Sequence, residues 1–252
     1  MLKILAARKQ QGFRTIAYPD QPPVLPDRFR GKPSIQGDLC RDDCKACLAI
    51  CPTEAITLQK KPTIDLGKCL FCNACAEICP NNALKFTTDH RLATRNRNDL
   101  FLKSHEIKLA EKLNAEMMLL FGRSLKFRQV SAGGCNGCEV DVNVLTTVVF
   151  DLSRFGIKIV ASPRHADGLI ITGTITQNMK LATMKTYEAV PAPKLVIAVG
   201  ACAISGGPFS DHPEVNNGIP DILPVDLYIP GCPPHPITIL DGLLRLLGKK
   251  LD

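Results

Sequence analysis

The carboxyl-terminal half of the chain alternates short apolar runs with amphipathic stretches. Runs of aliphatic and β-branched residues predict five strands, at LKFRQV, IKIVA, GLIIT, KLVIAV and DLYIP. Helices are expected from Glu139 to about Phe155, over residues 176–189 and over residues 236–247. Apolar strands separated by helices indicate a parallel sheet covered on both faces. Residues 125–252 are therefore predicted to form an α/β domain with a flavodoxin-like, doubly wound parallel sheet.

A second apolar pattern recurs about every 3.6 residues between Asp99 and Phe121, and it predicts an amphipathic helix. The stripe consists of Leu102, Leu109, Ala110, Leu113, Met117, Leu120 and Phe121. Asn98 or Asp99 is expected to cap the start of this helix, and Gly122 its end. Because Glu106 interrupts the stripe, we expect it to pack on the protein's own core or on a neighbouring subunit rather than on a membrane surface.

Prolines and cysteines divide the chain into four parts. Residues 1–37 have no cysteine, and Pro19, Pro22, Pro23, Pro26 and Pro33 predict an extended segment there. Residues 38–87 contain eight of the cysteines. Residues 88–124 have none and are predicted to form a helical linker. Residues 125–252 contain the remaining four cysteines.

The eight cysteines between residues 38 and 87 form an internal repeat. The first half has Cys40, Cys44, Cys47 and Cys51, and the second has Cys69, Cys72, Cys75 and Cys79. Each half ends in Cys-Pro and then a short β-like run, ITL or LKF. Two copies of one small unit are expected to pair with approximate two-fold symmetry.

This repeat has the spacing of ligands for two cubane clusters. A C-x2-C-x2-C-x3-C-P run gives three thiolates to one [4Fe–4S] cluster and its fourth to the other. We therefore predict one cluster on Cys40, Cys44, Cys47 and Cys79, and a second on Cys69, Cys72, Cys75 and Cys51. The first run departs from the pattern, with three residues between Cys40 and Cys44. The alternative is a pair of four-thiolate zinc sites, which would not need the Cys-Pro endings or the crossed repeat.

The last four cysteines each follow the end of a predicted strand. They are Cys135 and Cys138 in GGCNGCE, Cys202 in GACA and Cys232 in PGCPP. In an open parallel sheet, ligands bind outside the carboxyl ends of the strands. These three loops are therefore expected to converge on a third [4Fe–4S] cluster, held by glycine-rich and proline-stiffened turns. The alternative is a set of buried free cysteines.

The composition of the chain indicates the cellular compartment in which it is expected. The chain of 252 residues has no apolar run long enough to span a membrane and no apparent signal peptide. It is therefore expected in the cytoplasm, where thiols stay reduced and twelve cysteines indicate metal binding.

Two segments hold the excess positive charge of the chain. Residues 1–39 contain seven Lys/Arg and three Asp/Glu, and residues 88–128 contain nine and five, so each segment carries +4. These are either solvated faces or docking surfaces for a partner or for anionic lipid headgroups. Nucleic acid is not expected, because Trp is absent and no reading motif is present.

Several motifs resemble known families. Residues 38–87 resemble the bacterial two-cluster ferredoxin module, an α+β fold, and FRGKP at Phe29–Pro33 resembles the lead-in of ferredoxin-like subunits of complex I and its hydrogenase relatives. From Phe127 to Leu247 the chain is similar to the small electron-transfer subunit of membrane-bound, formate-hydrogenlyase-like [NiFe] hydrogenases, which is related to the complex I 20 kDa subunit. This second resemblance rests on GGCNGCE, FGIKIVASPRHAD, ITGTIT, GAC and PGCPP. The two-residue spacing of Cys135 and Cys138 favours the hydrogenase branch, since the complex I subunit has adjacent cysteines.

The resemblance implies an electron-transfer subunit without catalytic residues of its own. It implies a large [NiFe]-type catalytic subunit as partner, further membrane and electron-donor subunits, and a peripheral position on the cytoplasmic side of the cell membrane. It also places Glu139 near the partner's active site as a proton relay, and Arg164, His165 and Asp167 near the cluster or subunit boundary. The local alternatives are a first-turn glutamate stabilised by the helix dipole and a loop that only caps and pairs.

Two other functions compete with this interpretation. One is a quinone-linked, complex I-like oxidoreductase subunit without hydrogenase activity. The other is a stand-alone ferredoxin-like carrier, which would need neither a doubly wound domain nor an amphipathic linker.

Overall fold

The computed structural model describes residues 2–41, 44–59 and 61–249. Its helices are α1 (Leu2–Gln11), α2 (Ala46–Ile50), α3 (Ala74–Glu77), α4 (Ala115–Phe121), α5 (Gly137–Val144), α6 (Gln177–Ala189), α7 (Ala201–Ser205) and α8 (Pro236–Leu246). Its strands are β1 (Pro33–Ile35), β2 (Ile56–Leu58), β3 (Pro62–Asp65), β4 (Leu84–Phe86), β5 (Phe101–Leu102), β6 (Leu125–Ser131), β7 (Ile157–Ile159), β8 (Gly168–Thr172), β9 (Leu195–Val199) and β10 (Leu227–Ile229).

The carboxyl-terminal strands form the predicted parallel sheet. Its spatial order is β7-β6-β8-β9-β10, which in chain order of these five strands is 2-1-3-4-5, the flavodoxin-like order. Phe127 lies opposite both Ile159 and Gly168, and Ile197 lies opposite Leu227. Because all five strands run in one direction, the loops after β6, β9 and β10 leave the same edge of the sheet.

The cysteine-rich unit contains two small antiparallel sheets. Strand β1 pairs with β4, and β3 lies between β2 and β5. The two repeated runs, ITL and LKF, are β2 and β4, as predicted. They do not pair with each other, because each has its own partner strand, and it is α2 and α3 that pack together.

The sheet of the α/β domain separates two hydrophobic cores. Neighbouring residues of β8 point to opposite faces, so Leu169 and Ile171 enter one core and Ile170 the other. The first core also contains Ile64 and Phe71 of the cysteine-rich unit. The second core is closed mainly by α8, whose apolar residues are almost completely buried. The cysteine-rich unit therefore packs directly on one face of the sheet.

The amino-terminal segment differs from the extended chain predicted for residues 1–37. Residues 2–11 form α1, because they lack Pro and Gly and consist mostly of strong helix formers. Gly12, at φ +61°, follows the helix, and every proline of the segment lies beyond it.

The predicted helix from Asp99 to Phe121 is wrong over most of its length. Only α4 is helical, and its cap is Asn114, whose side chain accepts a hydrogen bond from the Met117 amide at 2.9 Å. Upstream, Leu102 pairs opposite Ile64 in β5. The amides of Ala110 and Leu113 donate to carbonyls of Ala93 and Leu246, respectively. Tertiary hydrogen bonds have therefore replaced helical ones, while Gly122 ends α4 as predicted.

The helix predicted from Glu139 to Phe155 is also shorter than expected. Helix α5 ends at Val144, and a separate 3-10 turn covers Leu152–Phe155. Thr146 and Thr147 donate their hydroxyls to carbonyls three residues earlier, at 2.8 and 2.7 Å. Such side-chain bonds compete with the helical backbone, and the β-branched run that follows adds to the effect.

Candidate iron–sulfur centres

The loop between β6 and α5 presents Cys135 and Cys138 at the carboxyl edge of the sheet. Asn136 between them adopts a left-handed conformation, φ 71° and ψ 0°, and serves as the N-cap of α5. Asn73 has nearly the same conformation in the Cys72–Cys75 pair, where it precedes α3. Asparagine is one of the few residues that tolerates this conformation. The same Cys-Asn-x-Cys turn therefore occurs in both halves of the protein.

Cys202 and Cys232 reach the same edge from β9 and β10. Cys202 lies in α7, directly after β9, and Cys232 follows β10 in the PGCPP loop. Glycines leave room for the sulfur atoms: a Cβ added at Gly200 would overlap Sγ of Cys138, and one at Gly207 would lie 2.9 Å from Sγ of Cys202. Three separate strand ends thus bring these four cysteines to one edge of the sheet.

Burial and neighbouring thiols raise the pKa values of cysteines in this carboxyl-terminal group. Burial raises the pKa of Cys138 far above its usual range, and Cys202, Cys232 and Cys135 raise it further. Burial also raises the pKa of Cys202 to about 11, with contributions from Cys232 and Cys135. The metal-free thiols of Cys138 and Cys202 therefore favour their protonated form, and a metal centre would displace those protons on binding.

Glu139 lies beside this group, whereas Asp167 does not. Glu139 is buried and accepts hydrogen bonds on one carboxylate oxygen from Ser131 and Thr172, each at 2.7 Å. Its charge contributes to the raised pKa of Cys138. Asp167 lies at the opposite, amino end of the sheet, where it accepts the Lys126 amide at 2.7 Å. Arg164 and His165 lie in the 3-10 turn before it.

The two halves of the cysteine repeat have the same local backbone geometry. The amide of Ala55 donates to Sγ of Cys51, and that of Ala83 to Sγ of Cys79, both at 3.3 Å. In each half the residue just before the alanine, Glu54 or Asn82, has a positive φ near 50°. Amide hydrogen bonds stabilise negative charge on sulfur. The Cys-Pro-x-x-Ala sequence therefore builds the same thiolate-stabilising turn twice.

The eight amino-terminal cysteines fall into two groups according to which thiols affect one another's pKa. Burial is the main cause of the raised pKa of Cys47, and Cys40, Cys44 and Cys79 add to it. Burial likewise raises the pKa of Cys69 to about 12, and the sulfurs that add to it are those of Cys75, Cys51 and Cys72. The first run thus shares its group with Cys79, and the second run with Cys51.

Two electrostatic influences link the three groups of cysteines. The pKa of Cys75, raised by burial to about 11, is also affected by Cys47 of the first amino-terminal group. The pKa of Cys232, raised mainly by burial, is also affected by Cys72 of the second. The group of Cys51, Cys69, Cys72 and Cys75 therefore lies between the other two.

A joint between the two units fixes the loop before Cys69 against α7. Ser205, in α7, donates its hydroxyl to the carbonyl of Gly67 at 2.9 Å. A Cβ at Gly67 would lie 2.7 Å from Ile204 and 3.0 Å from the guanidinium carbon of Arg97. Arg97 in turn forms a two-point ion pair with the buried carboxylate of Asp65. The sequence motifs gave no signal for this joint, because its residues meet only through the tertiary fold.

The donor sets fit cubane clusters in chemistry and in space. Each group consists of four thiols. In the two amino-terminal groups the sulfurs of Cys51, Cys69 and Cys79 accept backbone amides. In the carboxyl-terminal group, glycines stand where side chains would crowd the sulfurs of Cys138 and Cys202. Thiolates are the usual ligands of [4Fe–4S] clusters. No three His, Cys, Asp or Glu side chains among the described residues are placed to hold a single metal ion. Nor does that part of the chain contain a helix long and apolar enough to cross a membrane.

Family models match both halves of the chain. The model described as "4Fe-4S dicluster domain" matches residues 39–83. The model described as "NADH ubiquinone oxidoreductase, 20 Kd subunit" matches residues 135–246. The resemblances inferred from the cysteine spacing and from PGCPP are thereby confirmed, and the amino-terminal unit binds [4Fe–4S] clusters.

Named relatives come from hydrogenases and from complex I. A probable membrane-bound hydrogenase subunit mbhJ of Pyrococcus furiosus is 44% identical over 57% of this chain and 86% of its own length. Formate hydrogenlyase subunit 7 of Escherichia coli is 44% identical over 54% of this chain, and only 53% of its length is covered. An NADH-quinone oxidoreductase subunit of Heliobacterium modesticaldum is 44% identical over 47% of this chain and 68% of its own length. The chain therefore belongs to the family of the complex I 20 kDa subunit and the [NiFe] hydrogenase small subunit, and it carries a [4Fe–4S] ferredoxin domain in front of that family's domain.

Proposed function

We propose that this chain is the iron–sulfur electron-transfer subunit of a membrane-associated, [NiFe] hydrogenase-type complex. The observation that carries the proposal is the grouping of twelve thiols into three sets of four. One cluster is assigned to Cys40, Cys44, Cys47 and Cys79, a second to Cys51, Cys69, Cys72 and Cys75, and a third to Cys135, Cys138, Cys202 and Cys232. Each such cluster, when bound, accepts and releases one electron.

Electrostatic influences between the groups support an order for the relay. Cys47 contributes to the raised pKa of Cys75, and Cys72 to that of Cys232, which favours the second group as the middle of a line. In this proposal residues 38–87 and 125–252 are the two cluster-bearing units. The segments 1–37 and 88–124 connect and support them. One polypeptide thereby fixes the relative positions of all three clusters.

The catalytic site is proposed to lie on a large partner subunit next to the third cluster. Cys135 is exposed although the other three thiols of its group are buried or half-buried. Exposed Val140 and Val148 lie in α5 and just beyond it. A partner that covered Cys135 would exclude water from the terminal cluster and place its own redox centre within reach. Glu139, beside the cysteines and behind this face, is then the candidate to pass protons across the boundary.

A peripheral position on the cytoplasmic side of the membrane completes the proposal. The relatives named above include a probable membrane-bound hydrogenase subunit, which supports membrane-embedded partners for this chain as well. The donor or acceptor at the far end is proposed to be a ferredoxin-like protein or subunit that meets the first cluster.

A second candidate function is electron transfer in a quinone-linked complex without hydrogenase activity. It is favoured by the 44% identity to a subunit of NADH-quinone oxidoreductase. The spacing of Cys135 and Cys138 by two residues distinguishes the chain from the adjacent cysteines expected in complex I.

Purification of the native complex under anaerobic conditions tests the proposal. The expected result is a co-purifying large subunit that contains nickel, together with hydrogen-dependent reduction of the clusters. A complex without nickel whose clusters are oxidised by added quinone would support the second function and contradict the first.

A further inference from the structure

The FRGKP motif at residues 29–33 lies between two of the cysteine groups. The ring of Phe29 packs edge-on against His235 at 5.4 Å, three residues after Cys232. The amide of Gly31 donates to the Thr87 carbonyl at 2.7 Å. A Cβ at Gly31 would overlap the Asp89 carbonyl, so the main chain lies tightly on the cysteine-rich unit. Phe29 and Gly31 thus hold this short segment against both units.

Arg30, between these two anchors, reaches the loop of the middle cysteine group. Its Nη1 atom donates to the carbonyl of Cys72 at 3.1 Å and lies 3.5 Å from that of Phe71. Its chain neighbour Phe29 contacts His235, which lies three residues after Cys232 of the carboxyl-terminal group. The guanidinium therefore lies where the middle and the carboxyl-terminal groups approach each other.

A cavity of about 340 Å³ opens at the same place. Its wall includes Arg28, Arg30, Phe71, Cys232 and His235. Asp141 also lines it, and burial raises the pKa of that carboxyl, which favours its neutral form. Burial lowers the pKa of His235, which favours its neutral form as well. Arg28 and Arg30 are the two arginines in the wall of this cavity, and of these two Arg30 is the one hydrogen-bonded to the cysteine loop.

We propose that Arg30 is a positioning residue that sets the reduction potential of the middle cluster by fixing a positive charge on the Cys72 loop. The inference rests on the proposed function, since it requires a cluster on Cys51, Cys69, Cys72 and Cys75. Reduction adds one electron to that cluster and changes no covalent bond. A nearby cation stabilises the more negative, reduced state and so raises the potential.

The charge effect is expected to be local and moderate. Arg30 is exposed to solvent, so water screens its charge beyond the nearest groups. The first cluster, on the far side of the middle one, should hardly respond. This distance dependence separates an electrostatic role from a general loosening of the fold, which would disturb all three clusters.

The test compares Arg30→Gln, Arg30→Lys and Arg28→Gln in anaerobically purified holoprotein. Each is titrated with a chemical reductant, and the clusters are followed by electron paramagnetic resonance. Arg28→Gln is the matched control, because Arg28 lines the same cavity but makes none of the described hydrogen bonds to the cysteine loop. Iron and sulfide are measured on every sample.

Arg30→Gln is expected to lower the potential of the middle cluster alone. The expected change in its reduced-to-oxidised ratio is about threefold to tenfold, and tenfold equals about 59 mV for a one-electron couple. Arg30→Lys and Arg28→Gln are expected to stay near the wild-type value. An unchanged middle potential in Arg30→Gln, or an equal shift of all three clusters, would overturn the proposal.

A second comparison covers the case in which Arg30→Gln loses iron. Arg30→Lys then decides alone: a wild-type middle potential supports the charge role, and a clearly lowered one contradicts it. Failure of the underlying function is recognised separately, because wild-type protein would then have fewer than three clusters. Three clusters with an unresponsive middle potential would contradict only the role of Arg30.

Discussion

Gly200 is the residue whose substitution should affect the carboxyl-terminal cluster most directly. Its φ of +90° and the overlap of an added Cβ with Sγ of Cys138 both disfavour any side chain. In Gly200→Ala we expect about four fewer iron atoms per chain, because one [4Fe–4S] cluster is lost. Gly12→Ala is the matched control, since Gly12 also has a positive φ but nothing near its Cβ position. Iron analysis showing equal content in both variants would contradict this account.

Asn136 should be replaceable by glycine but not by valine. Its left-handed conformation directs Cys135 and Cys138 to the same centre. A β-branched residue there should cost about 1–2 kcal/mol of folding free energy. Urea unfolding followed by circular dichroism should therefore show a lower midpoint for Asn136→Val and a near-wild-type midpoint for Asn136→Gly. Equal midpoints for both variants would mean that this turn is not under conformational constraint.

The cysteines could be identified from the sequence because cluster ligation imposes local spacing. Runs such as C-x2-C-x2-C-x3-C-P can be recognised as cluster ligands without knowledge of the fold. Gly200 and Arg30 lie in the GAC and FRGKP motifs, but these motifs do not show what the two residues do, because their effect depends on atoms that lie far away in the sequence. The sequence places Arg30 in a recognisable motif, but its contact with the Cys72 carbonyl follows only from the packing of the two units.

Among the secondary-structure elements, α4 offers a direct test of helix capping. The side chain of Asn114 accepts the Met117 amide and so satisfies one amide that the helix leaves unpaired. Asn114→Ala should destabilise the protein by about 1 kcal/mol, whereas Asn114→Asp should be nearly neutral. Asn98→Ala tests the cap that the periodic pattern predicted. A larger loss of stability in Asn98→Ala than in Asn114→Ala would favour the longer helix.

The pattern of apolar residues predicted the parallel sheet correctly but wrongly predicted one helix over residues 99–121, and both outcomes have the same physical reason. Every residue of strands β8 and β9 is buried and, apart from Thr172, none carries a polar side chain, which is typical of strands covered on both faces. Between Asp99 and Phe121 the apolar period agreed with a helix, but Leu102 and Leu113 are buried by separate non-helical contacts. Periodicity reports which residues are buried, and it cannot tell whether one helix or several neighbours bury them.

In the whole molecule, His90 should make stability depend on pH. It is buried against Tyr18, with the rings 5.5 Å apart, and burial lowers its pKa. The unfolded chain therefore binds a proton near pH 6.5 that the folded protein does not accept until lower pH. Stability is complete above about pH 6.5 and should fall as the pH decreases below it.

Urea midpoints between pH 8 and 5.5 measure this dependence. His90→Phe, which retains an aromatic ring beside Tyr18, should lose less stability over that range than wild type. His105→Gln is the control, since His105 is largely exposed. If His90→Phe and wild type lose stability equally as the pH falls, His90 is not the responsible group.

The central claim is that all twelve cysteines are cluster ligands, arranged as three sets of four. Native mass spectrometry of the anaerobically purified chain tests it most directly, because it weighs intact clusters and separates iron from zinc. The account predicts a mass increase equal to three [4Fe–4S] clusters, or about twelve iron and twelve sulfide per chain. A chain that carries only two clusters, or zinc in place of iron, would contradict it.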